Sequence, residues 1–231
     1  MSSNDLPTLT SAQVKAADSL ASERFGIPVD WLMEAAGWQV ARFCRGRTAV
    51  VCGVGNNAGD GLAAARHLHR WGRLVSVSCI DVSRLKGPAA RQLAALEALG
   101  IGISESPVLD SAHIVVDALL GTGLSRPPEG EFARWIDAVN ASQQRVIAVD
   151  LPSGLDADSG VAYAPTVRAH TTVTLGLPKP GLVQADGPSL AGEVWVADIG
   201  VPFEVYAELG IKVPAHLFAM HDRFQLAAVR M

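Results

Sequence analysis

The sequence predicts an α/β protein with a Rossmann-like, doubly wound and mostly parallel sheet in a three-layer α/β/α arrangement, with two extra N-terminal helices. Apolar β-type runs alternate with helical patterns, and strands that alternate with helices pair in parallel through right-handed crossovers. Several runs are nearly continuous in Val, Ile, Leu and Ala, which is typical of strands covered by helices on both faces. The predicted strands are Ala49–Cys52, Leu74–Ile80, His113–Leu120, Arg145–Pro152, His170–Gly176 and Glu193–Gly200, and the helices between them include Leu62–Trp71, Ser83–Gly100 and Phe132–Asn140.

The two extra helices are predicted before the first strand. Thr10 and Gln13 have the spacing of a capping box, and apolar residues then recur at helical spacing until Gly26. Pro28 opens the second helical pattern. We expect both helices to pack against the sheet or against a second copy of the chain, so a homodimer is one expectation.

Length and composition favour a single globular domain over residues 1–231, with residues 203–231 as a C-terminal tail or linker that carries a helical pattern at Leu217–Val229. Apolar residues make up 49% of the chain, yet none of its apolar runs approaches the ~18 residues of a membrane span. The N-terminus lacks the layout of a secretory signal, so we expect a cytoplasmic protein. A net charge of −4 argues against nucleic acid as a partner.

Polar and glycine-rich loops follow four of the predicted strands. They are Gly53–Gly61, Asp117–Pro127, Asp150–Asp156 and Leu175–Leu182. In an open parallel sheet, ligands bind beyond the carboxyl ends of the strands, where the strand order reverses. Four such loops on one edge therefore predict a composite site for a small molecule.

The first loop contains a partial dinucleotide-binding fingerprint. Gly53, Gly55 and Ala58 match the pattern G-x-G-x-x-[GA]. Asp60, however, places a negative charge where a bound pyrophosphate needs positive potential at the start of a helix. We interpret Asp60 either as a helix cap or as an acceptor for a ribose hydroxyl. The fingerprint by itself would support an NAD-dependent dehydrogenase.

Taken together, the loops resemble a known family. The segments GVGNNAGDGLAAARHL, VVDALLGTGLSRP, VIAVDLPSGLDADSG, TVTLGLPKPGL and VADIGVP occur in this order, as in the NAD(P)H-hydrate epimerase family, the YjeF N-terminal domain. The resemblance extends from Leu9 to Pro202. It implies a Rossmann-like fold and interconversion of the R and S forms of NADHX and NADPHX, which are hydrated NAD(P)H, with a dehydratase as functional partner. A catalytically silent nucleotide-binding module is the alternative.

The resemblance also implies site residues. The substrate-binding positions are Asn56, Asn57, Ala58, Gly59, Asp60, Gly121, Thr122, Gly123, Leu124, Ser125, Arg126, Pro127 and Asp150, with Ala58 where the family usually has glycine. Arg126 offers a guanidinium for phosphate oxygens, or it is a solvated surface charge. The side chains of Asn57, Asp117 and Ser153 match a potassium site, and all three offer the hard oxygen ligands that suit such an ion. Without an ion, Asp117 could cap a helix and Ser153 could form a turn.

The implied reaction breaks and remakes a C–O bond, so it needs a group that gives and takes a proton. A carboxyl group at a strand end suits this role, because partial burial raises its pKa toward neutrality. We hypothesise that Asp150 is the general acid/base, with Asp60 as the alternative. Asp150 could instead only hydrogen-bond to ribose or to neighbouring amides. Lys179, in the segment LPKPG, has no role assigned from the sequence.

Overall fold

The computed structural model describes residues 6–214 and 216–226. Within these residues the strands are β1 Thr48–Cys52, β2 Leu74–Cys79, β3 Ile103–Ser104, β4 Ile114–Ala118, β5 Arg145–Val149, β6 Thr171–Leu175, β7 Glu193–Ala197 and β8 Arg223–Gln225. The helices are α1 Ser11–Phe25, α2 Val29–Phe43, α3 Asn56–Arg70, α4 Gly87–Ala98, α5 Glu131–Ala141, α6 Gly187–Leu190 and α7 Phe203–Glu208. The chain thus alternates strands and helices as its sequence predicts.

All eight strands form one sheet in the order β3-β2-β1-β4-β5-β6-β7-β8. The pairs from β3 to β7 are parallel, and β8 pairs with β7 antiparallel. This confirms the predicted mostly parallel, doubly wound sheet. The order reverses between β1 and β4, which is where a ligand crevice forms in such folds.

The N-terminal helices have the ends predicted from sequence. The Thr10 hydroxyl accepts from the Gln13 amide at 3.3 Å, and the Gln13 side chain accepts from the Thr10 amide at 2.9 Å. Gly26 ends α1 with a φ of 66°, a conformation that favours glycine. Ala17 and Ala21 of α1 pack with Leu32 of α2 and with α7, which anchors both helices to the fold.

The C-terminal segment differs from the helical pattern predicted at Leu217–Val229. That prediction is wrong for residues 217–226, which form turns and β8, while residues 227–229 lie outside the described residues. Phe224 and Leu226 both pack into the apolar cluster around β7, and this spacing of two residues is that of a strand. Residues 203–226 thus contribute α7 and β8 to the fold. None of the helices in the described chain is long and apolar enough to cross a membrane.

Two glycines allow the close approaches that shape the carboxyl edge of the sheet. The Gly53 amide donates to the Ala118 carbonyl at 3.0 Å, and a Cβ at Gly53 would lie 1.9 Å from the Leu119 oxygen. A Cβ at Gly61 in α3 would lie 2.4 Å from the Cβ of Ala118. The start of α3 therefore rests directly on β4, and Gly53 serves a contact between two loops.

We expect Gly61→Ala to lower the free energy of unfolding by about 1–3 kcal/mol, because overpacking against β4 outweighs the gain in helix propensity of about 0.5–1 kcal/mol. Urea unfolding followed by circular dichroism measures this change. The double variant Gly61→Ala with Ala118→Gly removes the clashing methyl, so it should be more stable than the sum of the two single changes predicts. Simple additivity would show that the contact with Ala118 is not the cause.

Candidate active site

A cavity of about 710 Å³ lies at the carboxyl edge of the sheet, between α1, α2 and the loops that follow β1, β4, β5 and β6. Eight of the predicted site residues line it: Asn56, Asn57, Asp60, Gly121, Thr122, Gly123, Leu124 and Asp150. The predicted residues outside its lining are Ala58, Gly59, Ser125, Arg126, Pro127, Asp117 and Ser153. These residues come from three of the four polar loops. The fourth loop, Leu175–Leu182, reaches the same cavity through Lys179.

The predicted loop Gly53–Gly61 is shorter than expected, because Asn56 to Asp60 form the first turn of α3. Ala58 is fully buried in the core, and a Cβ at Gly59 would lie 2.5 Å from the Met33 side chain. Helical geometry therefore turns these two residues inward and leaves the other three at the cavity. Alanine suits this helical position, which does not need the conformational freedom of glycine.

Asp60 lies at the cavity and does not cap α3. The N-cap residue is Gly55, and no side chain makes a cap hydrogen bond there. Burial raises the pKa of Asp60 well above its ordinary value, and the negative charges of Asp150 and Asp18 raise it further, while Lys179 opposes the shift. Asp60 therefore favours the protonated carboxylic acid more than an ordinary aspartate does.

Asp150 follows β5 with a φ of 67°, an uncommon conformation for a residue other than glycine. Its Oδ1 accepts hydrogen bonds from the Leu175 amide at 2.9 Å, the Thr174 hydroxyl at 3.2 Å and the Lys179 ammonium. None of the described residues donates a hydrogen bond to its Oδ2. The carboxyl group is thus fixed through one oxygen and leaves the other for a bound molecule.

Lys179, whose role the sequence left unassigned, lies at the candidate site. Its side chain is only 1% exposed, lines the cavity and forms an ion pair with Asp150. The ammonium also donates to the Leu175 carbonyl at 3.0 Å. The available signal in the sequence is a lysine between two prolines in a loop that follows a strand. Because β6 neighbours β5 in the sheet, this loop places Lys179 beside the aspartate that follows β5.

Asp18 is a further site residue that sequence reasoning missed. It lines the cavity from α1, and burial raises its pKa to about 6, opposed by Lys179 and assisted by Asp150. Asp18 lies four residues after Val14 and three before Ala21, so it interrupts the apolar stripe of the helix. A carboxylate on a buried helix face was the available signal. The cavity therefore holds three carboxyl groups around one buried ammonium.

Asp117 and Ser153 join the loops that follow β4 and β5. Asp117 accepts from the Ser153 hydroxyl at 2.6 Å, the Ser153 amide at 2.9 Å and the Leu119 amide at 3.2 Å. Burial raises the pKa of Asp117 to about 6, against the effect of these hydrogen bonds. Ser153 also accepts from the amide of Leu120, and both Leu119 and Leu120 line the cavity. The pair therefore fixes the cavity wall from behind.

Asn57, the third predicted potassium ligand, lies at the start of α3 beside the second loop. A Cβ at Gly121 would lie 3.1 Å from the Asn57 Cγ, so the glycine makes room for the amide. The Asn57 Nδ2 is buried and has no hydrogen-bond partner among the described residues. A buried polar atom without a partner is unfavourable, so this N–H donor is available to an acceptor on a bound molecule.

The fold and the cavity define a Rossmann-like α/β protein with an acidic ligand site at the topological switch point of its sheet. Residues 29–181 match the family model described as YjeF-related protein N-terminus. The chain belongs to this family.

Relatives agree with this assignment, and a solved structure agrees with the fold. The chain is 38% identical over 218 residues to the NAD(P)H-hydrate epimerase of Rhodopirellula baltica, covering 89% of each chain. It is 40% identical over 220 residues to the bifunctional NAD(P)H-hydrate repair enzyme Nnr of Thermofilum pendens, covering 87% of this chain and 42% of that protein. The crystal structure of yeast ynu0 superimposes with a TM-score of 0.82 at 23% identity, covering 96% of this chain and 100% of that one, which supports the fold.

The raised pKa of Asp18 has a consequence for stability. Because its folded pKa of about 6 lies above the ordinary value of 3.8, its contribution to stability is complete below pH 4 and is lost as the pH rises through 6. We expect Asp18→Asn to raise the free energy of unfolding by about 1–2 kcal/mol at pH 7, allowing for partial solvent screening, and by little at pH 4. Urea titrations at both pH values measure the difference.

Glu23→Gln provides the control for this experiment. Glu23 is exposed on the same helix, so the substitution changes the charge equally without relieving burial. Its effect should be small at both pH values. A stabilisation by Asp18→Asn that is equal at pH 4 and pH 7 would contradict the assignment.

Proposed function

We propose that the protein interconverts the R and S forms of NADHX and NADPHX, as a nucleotide-cofactor repair enzyme of the isomerase class. The names of the relatives, NAD(P)H-hydrate epimerase and NAD(P)H-hydrate repair enzyme, support this reaction. The observation that carries it is the group of Asp18, Asp60 and Asp150 around the buried Lys179 in the cavity. These are the groups that proton transfer requires.

Epimerisation needs a proton donor for the departing oxygen and an acceptor for the returning one. The reaction proceeds by loss and readdition of water through a ring cation, or by opening and closing of the ring. Asp150 presents a free carboxyl oxygen to the cavity from a fixed position, and we assign it as the general acid/base. Asp60, which favours its protonated form, is the alternative proton donor. Negative charge in this cavity would also stabilise a positive ring.

We expect Asp150→Asn to lower kcat by about 10²–10⁴-fold, since the amide cannot exchange the proton, and also to lower the melting temperature, because the buried Lys179 ammonium loses its ionised partner. Chromatography of the two NADHX epimers over time measures the rate. The control is Asp110→Asn, an exposed aspartate before β4. If Asp150→Asn retains near wild-type kcat while Asp60→Asn loses it, the role belongs to Asp60.

We further propose that the protein binds a potassium ion through Asn57, Asp117 and Ser153. The amide, carboxylate and hydroxyl oxygens fit a hard cation, and Gly121 leaves room for the Asn57 amide beside the second loop. When bound, the ion would supply a fixed positive charge beside the cavity. The chain's own contribution is the Asp117–Ser153 hydrogen bond, which holds the two loops in place.

Asp117→Ala should abolish any potassium-dependent rise in melting temperature and weaken ligand binding, because the site loses its only formal charge. The measurement is the difference in melting temperature between potassium chloride and choline chloride at equal ionic strength, taken for each variant. The loss of stability caused by removing the buried hydrogen bonds is the same in both salts, so it cancels in this difference. Asp110→Ala is the control variant. Equal potassium stabilisation of Asp117→Ala and wild type would remove the metal assignment.

Four other expectations stay predictions. Arg126 is exposed and outside the cavity lining, so its contact with the substrate phosphates requires the loop that carries it to meet the ligand at the cavity rim. A dehydratase as functional partner agrees with the bifunctional relative, of which this chain spans 42%. A homodimer and a cytoplasmic location rest on the sequence.

The dehydrogenase alternative loses its support, because Gly53 and Ala58 serve packing within the fold.

A further inference from the structure

A second cavity, of about 560 Å³, lies at the opposite edge of the sheet from the candidate active site. Its lining consists of Arg42, Arg45, Trp71, Arg73 and Arg223, which we call the arginine pocket. Arg42 and Arg45 lie between α2 and the start of β1, Trp71 and Arg73 precede β2, and Arg223 begins β8. The pocket therefore gathers four guanidinium groups from three distant parts of the chain.

An adjoining cavity of about 540 Å³ shares three of these arginines and extends the positive surface. It reaches Arg145 and His113, which lie at the amino ends of β5 and β4, and it includes one acidic residue, Glu193. The two cavities thus adjoin through Arg42, Arg45 and Arg223 at the amino edge of the sheet.

The charge of the arginine pocket is opposite to that of the whole chain. The protein has 23 acidic and 19 basic residues, yet four arginines meet here. The acidic group found beside them among the described residues is Asp222, which pairs with Arg42 and, at 3.5 Å, with Arg223. Burial and the positive charges of Arg42 and Arg45 lower the pKa of Arg223, so these groups repel one another. A bound anion would relieve that repulsion.

Aromatic rings hold the guanidinium groups in place. Arg42 lies 6.0 Å from the centre of the Trp38 ring, Arg73 5.4 Å from that of Trp71, and Arg223 5.4 Å from that of Phe43. The Arg73 Nη1 also donates to the Cys44 carbonyl at 3.2 Å, and Arg42 and Arg223 each donate to Asp222 through Nη1. Each guanidinium has five N–H donors, so others remain for oxygen acceptors. The positive groups are therefore oriented before any ligand arrives.

The chemistry of the ligand follows from these features. Guanidinium edges recognise planar or tetrahedral oxyanions, and four arginines against one aspartate require an anion with several charges. Arg70 and Arg73 both lie over the Trp71 ring, which leaves little of that ring for stacking on a nucleobase. A chain of linked phosphates satisfies the charge and needs no stacking surface.

We propose that the arginine pocket binds an oligophosphate, a chain of two or more linked phosphates, either free or as the tail of a nucleotide. Arg45 is the residue with which to test this, because its side chain is exposed and forms no hydrogen bond or ion pair with the described residues. Changing it removes charge from the pocket without breaking a contact that supports the fold.

The experiment is titration calorimetry of the whole chain with sodium tripolyphosphate at low ionic strength. We expect one binding site per chain, with an affinity that falls as salt is added. Arg45→Glu should weaken binding about tenfold or more, and Arg45→Gln should weaken it less. Arg84→Glu makes the same charge change at an exposed residue after β2, on the other edge of the sheet, and should bind like the wild type. Circular dichroism verifies that each variant is folded.

Three outcomes of the tripolyphosphate titrations would overturn the proposal. They are the absence of binding, equal weakening by Arg45→Glu and Arg84→Glu, and weakening by Arg126→Ala in place of Arg45→Glu, which would locate the anion at the candidate active site. ATP and adenosine distinguish the two sources. Equal affinity for ATP and tripolyphosphate supports recognition of the phosphate chain alone, whereas tighter binding of ATP supports a nucleotide. Binding of adenosine that matches ATP would contradict phosphate recognition.

Discussion

The ion pair between Lys179 and Asp150 is the interaction on which the candidate site depends. The lysine is almost wholly buried and the aspartate nearly so, and a buried charge without its partner is strongly unfavourable. The pair therefore fixes the loop after β6 against the end of β5. It also sets the electrostatics of the cavity, because Lys179 opposes and Asp150 increases the rise in the pKa of both Asp18 and Asp60. Burial is the main cause of both raised pKa values, and the ion pair adjusts them while it fixes the loop.

Close backbone packing supplies the second constraint on this edge of the sheet. Gly53 and Gly61 have backbone or side-chain atoms of the β4 region where a Cβ would stand, so the strand ends and the start of α3 approach more closely than larger residues allow. The Asp117–Ser153 hydrogen bonds then join the loops after β4 and β5 from inside the protein. The polar residues at the cavity are held by elements of the sheet, which is the condition for a pre-organised site.

The sequence predicts the sheet well because its strands are continuous apolar runs. It does not predict β3, which has two residues, or β8, whose alternation of Phe224 and Leu226 is too short to be distinguished from a helical pattern. Asn56 to Asp60 look like a loop because asparagine and glycine favour turns, but packing on the sheet makes them helical. The site is predicted only where residues lie in recognisable loops. Asp18 and Lys179 join it through contacts between distant segments, which local patterns do not encode.

The cavity of the candidate site is acidic, whereas the proposed substrate is an anionic nucleotide. Asp18, Asp60 and Asp150 line the candidate site with Lys15 and Lys179, so the ionised site would repel the phosphates of the substrate. The raised pKa values of Asp18 and Asp60 reduce this repulsion, since each group takes up a proton more readily than an ordinary aspartate. A bound pyrophosphate would raise both pKa values further by the same Coulombic effect, so binding of the substrate and uptake of protons favour each other. On the proposed function, binding of the nucleotide would thereby favour protonated carboxyl groups beside the hydrated ring.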